Sequence, residues 1–238
     1  GNEKRYYPYD SLYTPVIGRT THGMTGLESS ENFELLTTNL NPVERIYNEI
    51  KGGKSPGNNI VTTLDSGISS VAGEALGDRR GAVVVMEPKT GKILAMVSKP
   101  SYSANSLSDK KWDSLQTDKN DKSPLLNRAT QGLYPPGSTF KMYTALAFIR
   151  QDKAYSIFSY KCKGSIGTGD GSIRCYGGEV HGKVDFKEAF AKSCNTAFCT
   201  IGNKLDIGEW RDMCEDLYFN KQMPIDKLAL SSSKFTLD

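Results

Sequence analysis

The segment "NRATQGLYPPGSTFKMYTALAFI", residues 127–149, decides how this chain is read. Pro135-Pro136-Gly137 cannot be helical as a unit, so the backbone turns there and a helix is expected to start at Ser138. Beyond Thr139, the spacing of Phe140, Tyr143, Thr144, Ala147 and Phe148 marks one apolar helix face. Ser138 therefore falls at a helix N-terminus, where unpaired N–H groups and the helix dipole favour a developing negative charge. Lys141 follows three residues later, one turn along the same face.

A serine hydroxyl is a poor nucleophile until a neighbouring base takes its proton. A lysine in a dry cleft, its pKa lowered by burial and nearby charge, can be that base. The alternative is an N-capping serine followed by a solvent-facing lysine, and a bare Ser-x-x-Lys often arises by chance. The Tyr-Pro-Pro-Gly before Ser138 and the apolar helix behind it favour the reactive pair.

Downstream lies "VDFKEAFAKSCNTAFCTIGNKL", residues 184–205. Asp185 and Glu188 form a capping-box-like start for an Ala-rich helix ending near Lys192. Ser193-Cys194-Asn195 then occupies a break before another helical run. A hydroxyl and an amide on one turn can serve a single cleft, Ser193 relaying a proton and Asn195 gripping a substrate backbone group. The competing reading is a helix–helix connection with polar caps, which loses ground once Ser138 and Lys141 are placed beside it.

Working outward, "GAVVVMEPKTGKILAMVS" (81–98) is two β-branched runs around a Pro- and Gly-containing turn, a hairpin signal. "NIVTTLD" (59–65) alternates like a strand and ends where Asp65 or Ser66 caps a helix over 67–76. Helical pieces are expected over 26–36 and within "NPVERIYNEIKGGKSPGNN", with a domain boundary near Asn58. The polar stretch 101–122 reads as a surface excursion.

The 238 residues are enough for one sizeable core or a domain with an appendage. A net charge of +3, with no basic cluster interleaved with aromatics, gives no reason to expect a nucleic-acid partner. No apolar run is long enough to span a membrane, and Gly1 in place of an initiator Met suggests a chain trimmed behind an anchor.

"YPPGSTFK", "AKSCNTAF" and "GAVVVMEPKTGKILAMVS" together resemble the transpeptidase domain of class B penicillin-binding proteins. The resemblance covers about residues 59–238. "TGLESSENFELL" (25–36) resembles the tail of the pedestal or linker that precedes that domain, so 1–58 is assigned to it. The implied fold is α+β and serine β-lactamase-like, with helices around an antiparallel sheet. The implied activity is D,D-transpeptidation of peptidoglycan stem peptides through an acyl-serine that β-lactams trap. Ser138 is then the nucleophile, Lys141 the general base, Ser193 the proton relay and Asn195 a substrate-binding group.

The resemblance also implies an extracytoplasmic site on the bacterial plasma membrane, held by an N-terminal helix outside this chain. A membrane glycan polymerase of the elongation or division machinery is the implied protein partner. A D,D-carboxypeptidase, a β-lactamase, and a non-catalytic β-lactam sensor or cell-wall scaffold remain as alternative readings.

In this family a Lys-Thr/Ser-Gly strand forms the third motif, C-terminal to the other two. Lys89-Thr90-Gly91 lies almost fifty residues before Ser138, where two strands need a turn, and is read as a hairpin turn. The third motif is expected beyond "SSSKFTLD", and this segment alone is expected to acylate poorly.

The five cysteines (162, 175, 194, 199, 214) include no CxxC pair. Cys162 and Cys175 flank a Gly-rich segment that reads as a hairpin, and free thiols or a disulfide are both open. With His181 only three metal ligands are apparent, in no standard spacing, and no metal or organic cofactor is expected. Cys194 adjoins the proposed catalytic groups without being nominated itself. Trp112 and Trp210 are read as packing residues, and His22 is given no role.

Overall fold

A computed structural model describes residues 5–53, 55–117, 123–225 and 227–236. The chain gathers into two compact units, Gly1–Leu133 with Pro224–Ser231, and Tyr134–Met223 with Ser232–Asp238. The position near Asn58 falls inside the first unit. Residues 118–122 of the polar stretch lie outside the described residues, and the part before them carries a helix.

The first unit begins with α1 (Thr14–Ile17), α2 (Gly26–Ser30), α3 (Asn32–Leu36) and α4 (Pro42–Ile50). The Asn41 side chain accepts from Glu44 N–H and Pro42 sits where a helix needs no donor, so α4 starts at Pro42, within the segment expected to hold a helix. Then come α5 (Ser66–Leu76), β1 (Gly81–Met86), β2 (Ile93–Lys99) and α6 (Asp109–Gln116). Asp65 caps α5 by accepting from Ile68 N–H. This helix lies on the antiparallel β1–β2 hairpin, with Ala72, Ala95 and Val97 buried between them.

Residues 59–65 do not form the expected strand. They reach the edge of β2 with a backbone bond from Asp65 N–H to Leu94 O and one from the Thr63 hydroxyl to Ile93 O. Val61 is left 92% exposed, so neither a hydrogen-bonded ladder nor burial holds the alternating pattern in a sheet.

The second unit contains α7 (Lys141–Gln151), β3 (Ser159–Cys162), β4 (Ser165–Ile166), β5 (Ile173–Arg174), β6 (Gly182–Asp185), α8 (Phe186–Ala191), α9 (Asn195–Gly202) and α10 (Ile207–Asp216). Strands β3 and β6 pair antiparallel, as do β4 and β5, the latter being the predicted Gly-rich hairpin. Helix α7 buries Thr144, Ala147 and Phe148 of the apolar face read from the sequence, together with Ala145, while Phe140 and Tyr143 of that face are partly buried. Ala147 and Phe148 share a core with Ile201 and Leu205 after them in sequence, and with Met213 and Cys214 of α10. Burying a phenylalanine of this kind contributes about 1.5–3 kcal/mol, so α7 is held firmly behind the segment that carries Ser138.

Trp210 joins Phe140, Tyr143, Phe219 and Phe235 in an aromatic cluster beside this core, in keeping with a packing role. Trp112 instead lies under the Arg19 guanidinium, 4.3 Å from its ring centroid, and beside His22. His22 has a partner of its own, Nε2 lying 2.8 Å from Asp109 Oδ1.

Candidate active site

Ser138 occupies a 3-10 turn, Gly137–Phe140, that leads into α7, so the α-helix proper begins three residues later than expected, at Lys141. Gly137 makes the entry possible with φ 56°, a left-handed conformation that follows directly on the rigid Pro135-Pro136 pair. Ser138 is exposed, while Lys141 is half-buried one turn on. Phe140, between them, is fixed by rings on several sides, including Tyr143 at 5.5 Å and Phe235 at 5.3 Å.

The break at 193–195 is built by the end of α8. This helix starts with a full capping box between Asp185 and Glu188, as the sequence indicated. It ends with Ser193 N–H donating to Phe190 O and Cys194 N–H donating to Ala189 O. These are the two bonds of a Schellman motif, whose left-handed position is ordinarily a glycine. Here it is Ser193, at φ 50°. The buried Cys194 continues the motif by packing in one apolar cluster with Ala189. The chain then enters α9 at Asn195.

Lys141 Nζ gathers these groups. It lies 3.3 Å from Ser138 Oγ, 2.9 Å from Ser193 Oγ, 2.7 Å from Ser193 O and 2.5 Å from Asn195 Oδ1. Two of the four contacts, Ser193 O and Asn195 Oδ1, can only accept hydrogen bonds. If Lys141 is neutral, its two N–H bonds satisfy these, and its lone pair is left for a serine hydroxyl. Burial lowers the Lys141 pKa from the ordinary lysine value of 10.5, against an opposing pull from Cys175 and Cys194. Asn195 is fixed from its other end, Nδ2 donating to Arg174 O at 2.8 Å.

The other three residues singled out in the sequence, Ser138, Ser193 and Asn195, are thus within reach of the Lys141 amine. Lys89-Thr90-Gly91 is not among them. It forms the β1–β2 turn, where Glu87 O accepts from both Thr90 and Gly91 N–H and Gly91 takes φ 73°.

Beside the Ser193–Asn195 turn, Cys162 and Cys175 are buried neighbours with their sulfurs 3.7 Å apart, as free thiols. Sequence reasoning stopped at these two and His181, but the fold adds Cys194, whose sulfur is 3.8 Å from that of Cys175. The missed signal was the burial of the middle residue in Ser-Cys-Asn. The Cys162 thiol is pushed up by burial, yet hydrogen bonding with Thr196, His181 and Gly164 outweighs this and holds it well below the ordinary thiol range. Burial raises the Cys194 thiol instead.

A serine and a lysine one turn apart, facing a second hydroxyl and an amide, have the composition of an acyl-transfer site. The profile of the family described as penicillin binding protein transpeptidase domain matches residues 81–236. The chain belongs to this transpeptidase family. Among curated relatives of this transpeptidase domain, it is 34% identical over 248 residues to peptidoglycan D,D-transpeptidase PbpA of Mycolicibacterium smegmatis, covering 96% of this chain and 50% of that protein. Peptidoglycan D,D-transpeptidase MrdA of Acinetobacter baumannii is 31% identical over 259 residues, covering 93% of this chain and 38% of the relative.

Among solved structures, the ceftriaxone acyl-enzyme complex of penicillin-binding protein A from M. tuberculosis superposes with a TM-score of 0.84 at 31% identity. The match covers 96% of this chain and 55% of that one. The chain thus spans about half the length of the relatives it matches, or less. The likeness bears out the expected α+β, serine β-lactamase-like fold.

Proposed function

We propose that this protein is a peptidoglycan D,D-transpeptidase that crosslinks stem peptides through an acyl-serine at Ser138. The observation that carries the reading is the convergence of Ser138 Oγ, Ser193 Oγ and Asn195 Oδ1 on Lys141 Nζ. In the first half-reaction, Ser138 Oγ attacks the carbonyl of the penultimate D-Ala and gives its proton to Lys141 Nζ. Backbone N–H groups, that of Ser138 among them, stabilise the oxyanion. The C–N bond then breaks and the terminal D-Ala amine leaves with a proton relayed through Ser193 Oγ.

In the second half, an amine from a neighbouring stem peptide attacks the ester, and Ser138 Oγ departs reprotonated. Asn195 holds Lys141 through Oδ1 and presents Nδ2 to a substrate carbonyl by exchanging its bond to Arg174 O. The named similarity to a β-lactam acyl-enzyme supports trapping of the same serine by β-lactams. The reaction belongs on the extracytoplasmic face of the membrane, where a glycan polymerase supplies the strands. Among the described residues no helix is long and apolar enough to cross a membrane.

Intact mass spectrometry of the full-length protein with a labelled penicillin tests the assignment. One covalent adduct is expected, lost in Ser138→Ala. An adduct that survives this substitution overturns the assignment of the nucleophile. Product analysis with a stem-peptide donor and an amine acceptor should give crosslinked dimer, whereas hydrolysed donor alone identifies a carboxypeptidase.

A further inference from the structure

Helix α10 ends in a Schellman motif, with Tyr218 N–H donating to Glu215 O and Phe219 N–H donating to Cys214 O. The left-handed position, ordinarily a glycine, is Tyr218 at φ 65°. A bulky side chain is strained there, and at 42% exposure the ring is not placed for burial. Two residues on, Asn220 is left-handed as well, at φ 59°. This strained turn places the Phe219 ring and the Asn220 amide.

Phe219 joins the aromatic cluster, its ring centroid 5.9 Å from that of Phe140 and 4.9 Å from that of Tyr143. The Asn220 amide takes hold of a later stretch of chain. Its Oδ1 accepts from Phe235 N–H at 2.8 Å and its Nδ2 donates to Phe235 O at 2.7 Å. One amide thus satisfies both backbone groups of Phe235, as a neighbouring strand would. Asn220 N–H donates to Ser233 O, and the Ser233 hydroxyl donates to Tyr218 O at 3.4 Å. Residues 232–236 belong to no helix and to no strand longer than an isolated bridge, so these bonds and the Phe235 ring contacts hold them.

The ring held in this way lies behind the reactive pair. Phe235 is 5.3 Å from Phe140, 5.8 Å from Phe219 and 5.9 Å from Trp210. Phe140 immediately precedes Lys141 and closes the 3-10 turn that carries Ser138. A 3-10 turn has poorer hydrogen-bond geometry than an α-helix, so side-chain packing weighs more heavily in fixing its position.

We propose that Asn220 is a positioning residue for acylation, which fixes the Ser138 turn by holding Phe235 against Phe140. This inference rests on the reading of Ser138 as nucleophile and Lys141 as base. Ser138 Oγ and Lys141 Nζ are 3.3 Å apart, long for a hydrogen bond, so a small drift of the turn separates them. The Asn220 amide bonds to Phe235 and not to the reactive groups, so its influence passes through the two phenylalanine rings. Asparagine suits both demands at this position, since it tolerates the left-handed backbone and carries a donor beside an acceptor.

The experiment is stopped-flow acylation of the full-length protein by a fluorescent penicillin, which separates the dissociation constant of the first complex from the rate of acyl transfer. Asn220→Gly keeps the left-handed backbone and deletes the amide. Phe235→Leu keeps an apolar side chain and removes the ring beside Phe140. In both, acyl transfer should slow by about 10- to 100-fold, the upper figure being the cost of a misplacement of about 1 Å. The dissociation constant should be unchanged, and thermal midpoints measured alongside should show both variants folded at the assay temperature. The double variant should be no slower than the slower single one, because both act through one ring contact. Asn220→Asp should not restore the rate, since a carboxylate cannot donate to Phe235 O.

Wild-type rates of acyl transfer in the folded variants overturn the proposal. So does a weakened first complex with unchanged acyl transfer, and so do additive losses in the double variant. If Asn220→Gly does not fold, Phe235→Leu decides alone. A wild-type protein that forms no Ser138 adduct sinks the proposed function, whereas normal rates in the variants sink only the positioning role.

Discussion

Two turns in this chain carry letters of the same three-part signature, and they are built in opposite ways. The Lys89-Thr90-Gly91 turn closes on itself: Glu87 accepts from Thr90 and Gly91, and Glu87 N–H returns to Lys92 O. Its positive φ belongs to a glycine, which bears it without strain. The Ser193-Cys194-Asn195 turn gives the same kind of backbone angle to a serine, and its polar groups reach Lys141, more than fifty residues away in sequence. The backbone of the first turn is satisfied locally. The second accepts a backbone cost and directs its polar groups to a distant amine, which is how a reactive site differs from a connector.

The strongest way to break this contrast is at Lys141. Lys141→Ala should slow acylation by about 10²–10⁴-fold, the range for loss of a general base, measured as the second-order rate of fluorescent penicillin uptake. Lys141→Arg should not rescue it, since a guanidinium stays protonated. Near-normal uptake in either variant removes Lys141 from the reaction.

The pH profile sharpens the same point. Burial lowers the Lys141 pKa, so the neutral amine is available below the ordinary lysine value of 10.5. The acylation rate should rise with pH through that lowered pKa, and the rising limb should vanish in Lys141→Ala. The sign for stability follows by linkage. Between the lowered and ordinary values the unfolded chain holds more protons, so this residue makes stability rise with pH across that window.

Ser193→Gly separates chemistry from folding. Relief of the left-handed serine should stabilise the fold by about 1 kcal/mol, seen as a higher thermal midpoint, while acylation slows because the hydroxyl is gone. A variant both stabler and fully active would make Ser193 a plain helix terminator. The smallest effects belong to the other turn. Lys89→Ala and Thr90→Ala should leave acylation unchanged. Gly91→Ala should lower stability by about 1 kcal/mol without altering the rate of uptake by the folded fraction.

The same contrast explains what could be read from the sequence. The hairpin at 81–98, the caps at Asp65 and Asp185, and the apolar face of α7 are local patterns of spacing and turn chemistry, and each is found where expected. Ser138 and Lys141 were legible because one helical turn brings them together. The alternating 59–65 segment misled because a strand is defined by its partner, and this one obtains a single backbone bond to β2. The meeting of Cys194 with Cys162, Cys175 and His181 was also beyond local reading, since four separate segments supply the sulfurs and the ring. Nothing in the letters of Ser-Cys-Asn says that the middle side chain points inward while its neighbours reach Lys141.

The aromatic cluster behind Ser138 gives the molecule an optical probe. Trp210 lies 6.2 Å from Phe140, the residue between the serine and the lysine, whereas Trp112 belongs to the other compact unit. Any movement of the 137–140 turn on acylation therefore changes the surroundings of one indole and leaves the other as a constant background. Intrinsic fluorescence of a Trp112→Phe variant can then follow the reacting turn in real time, with no label and no chromogenic substrate.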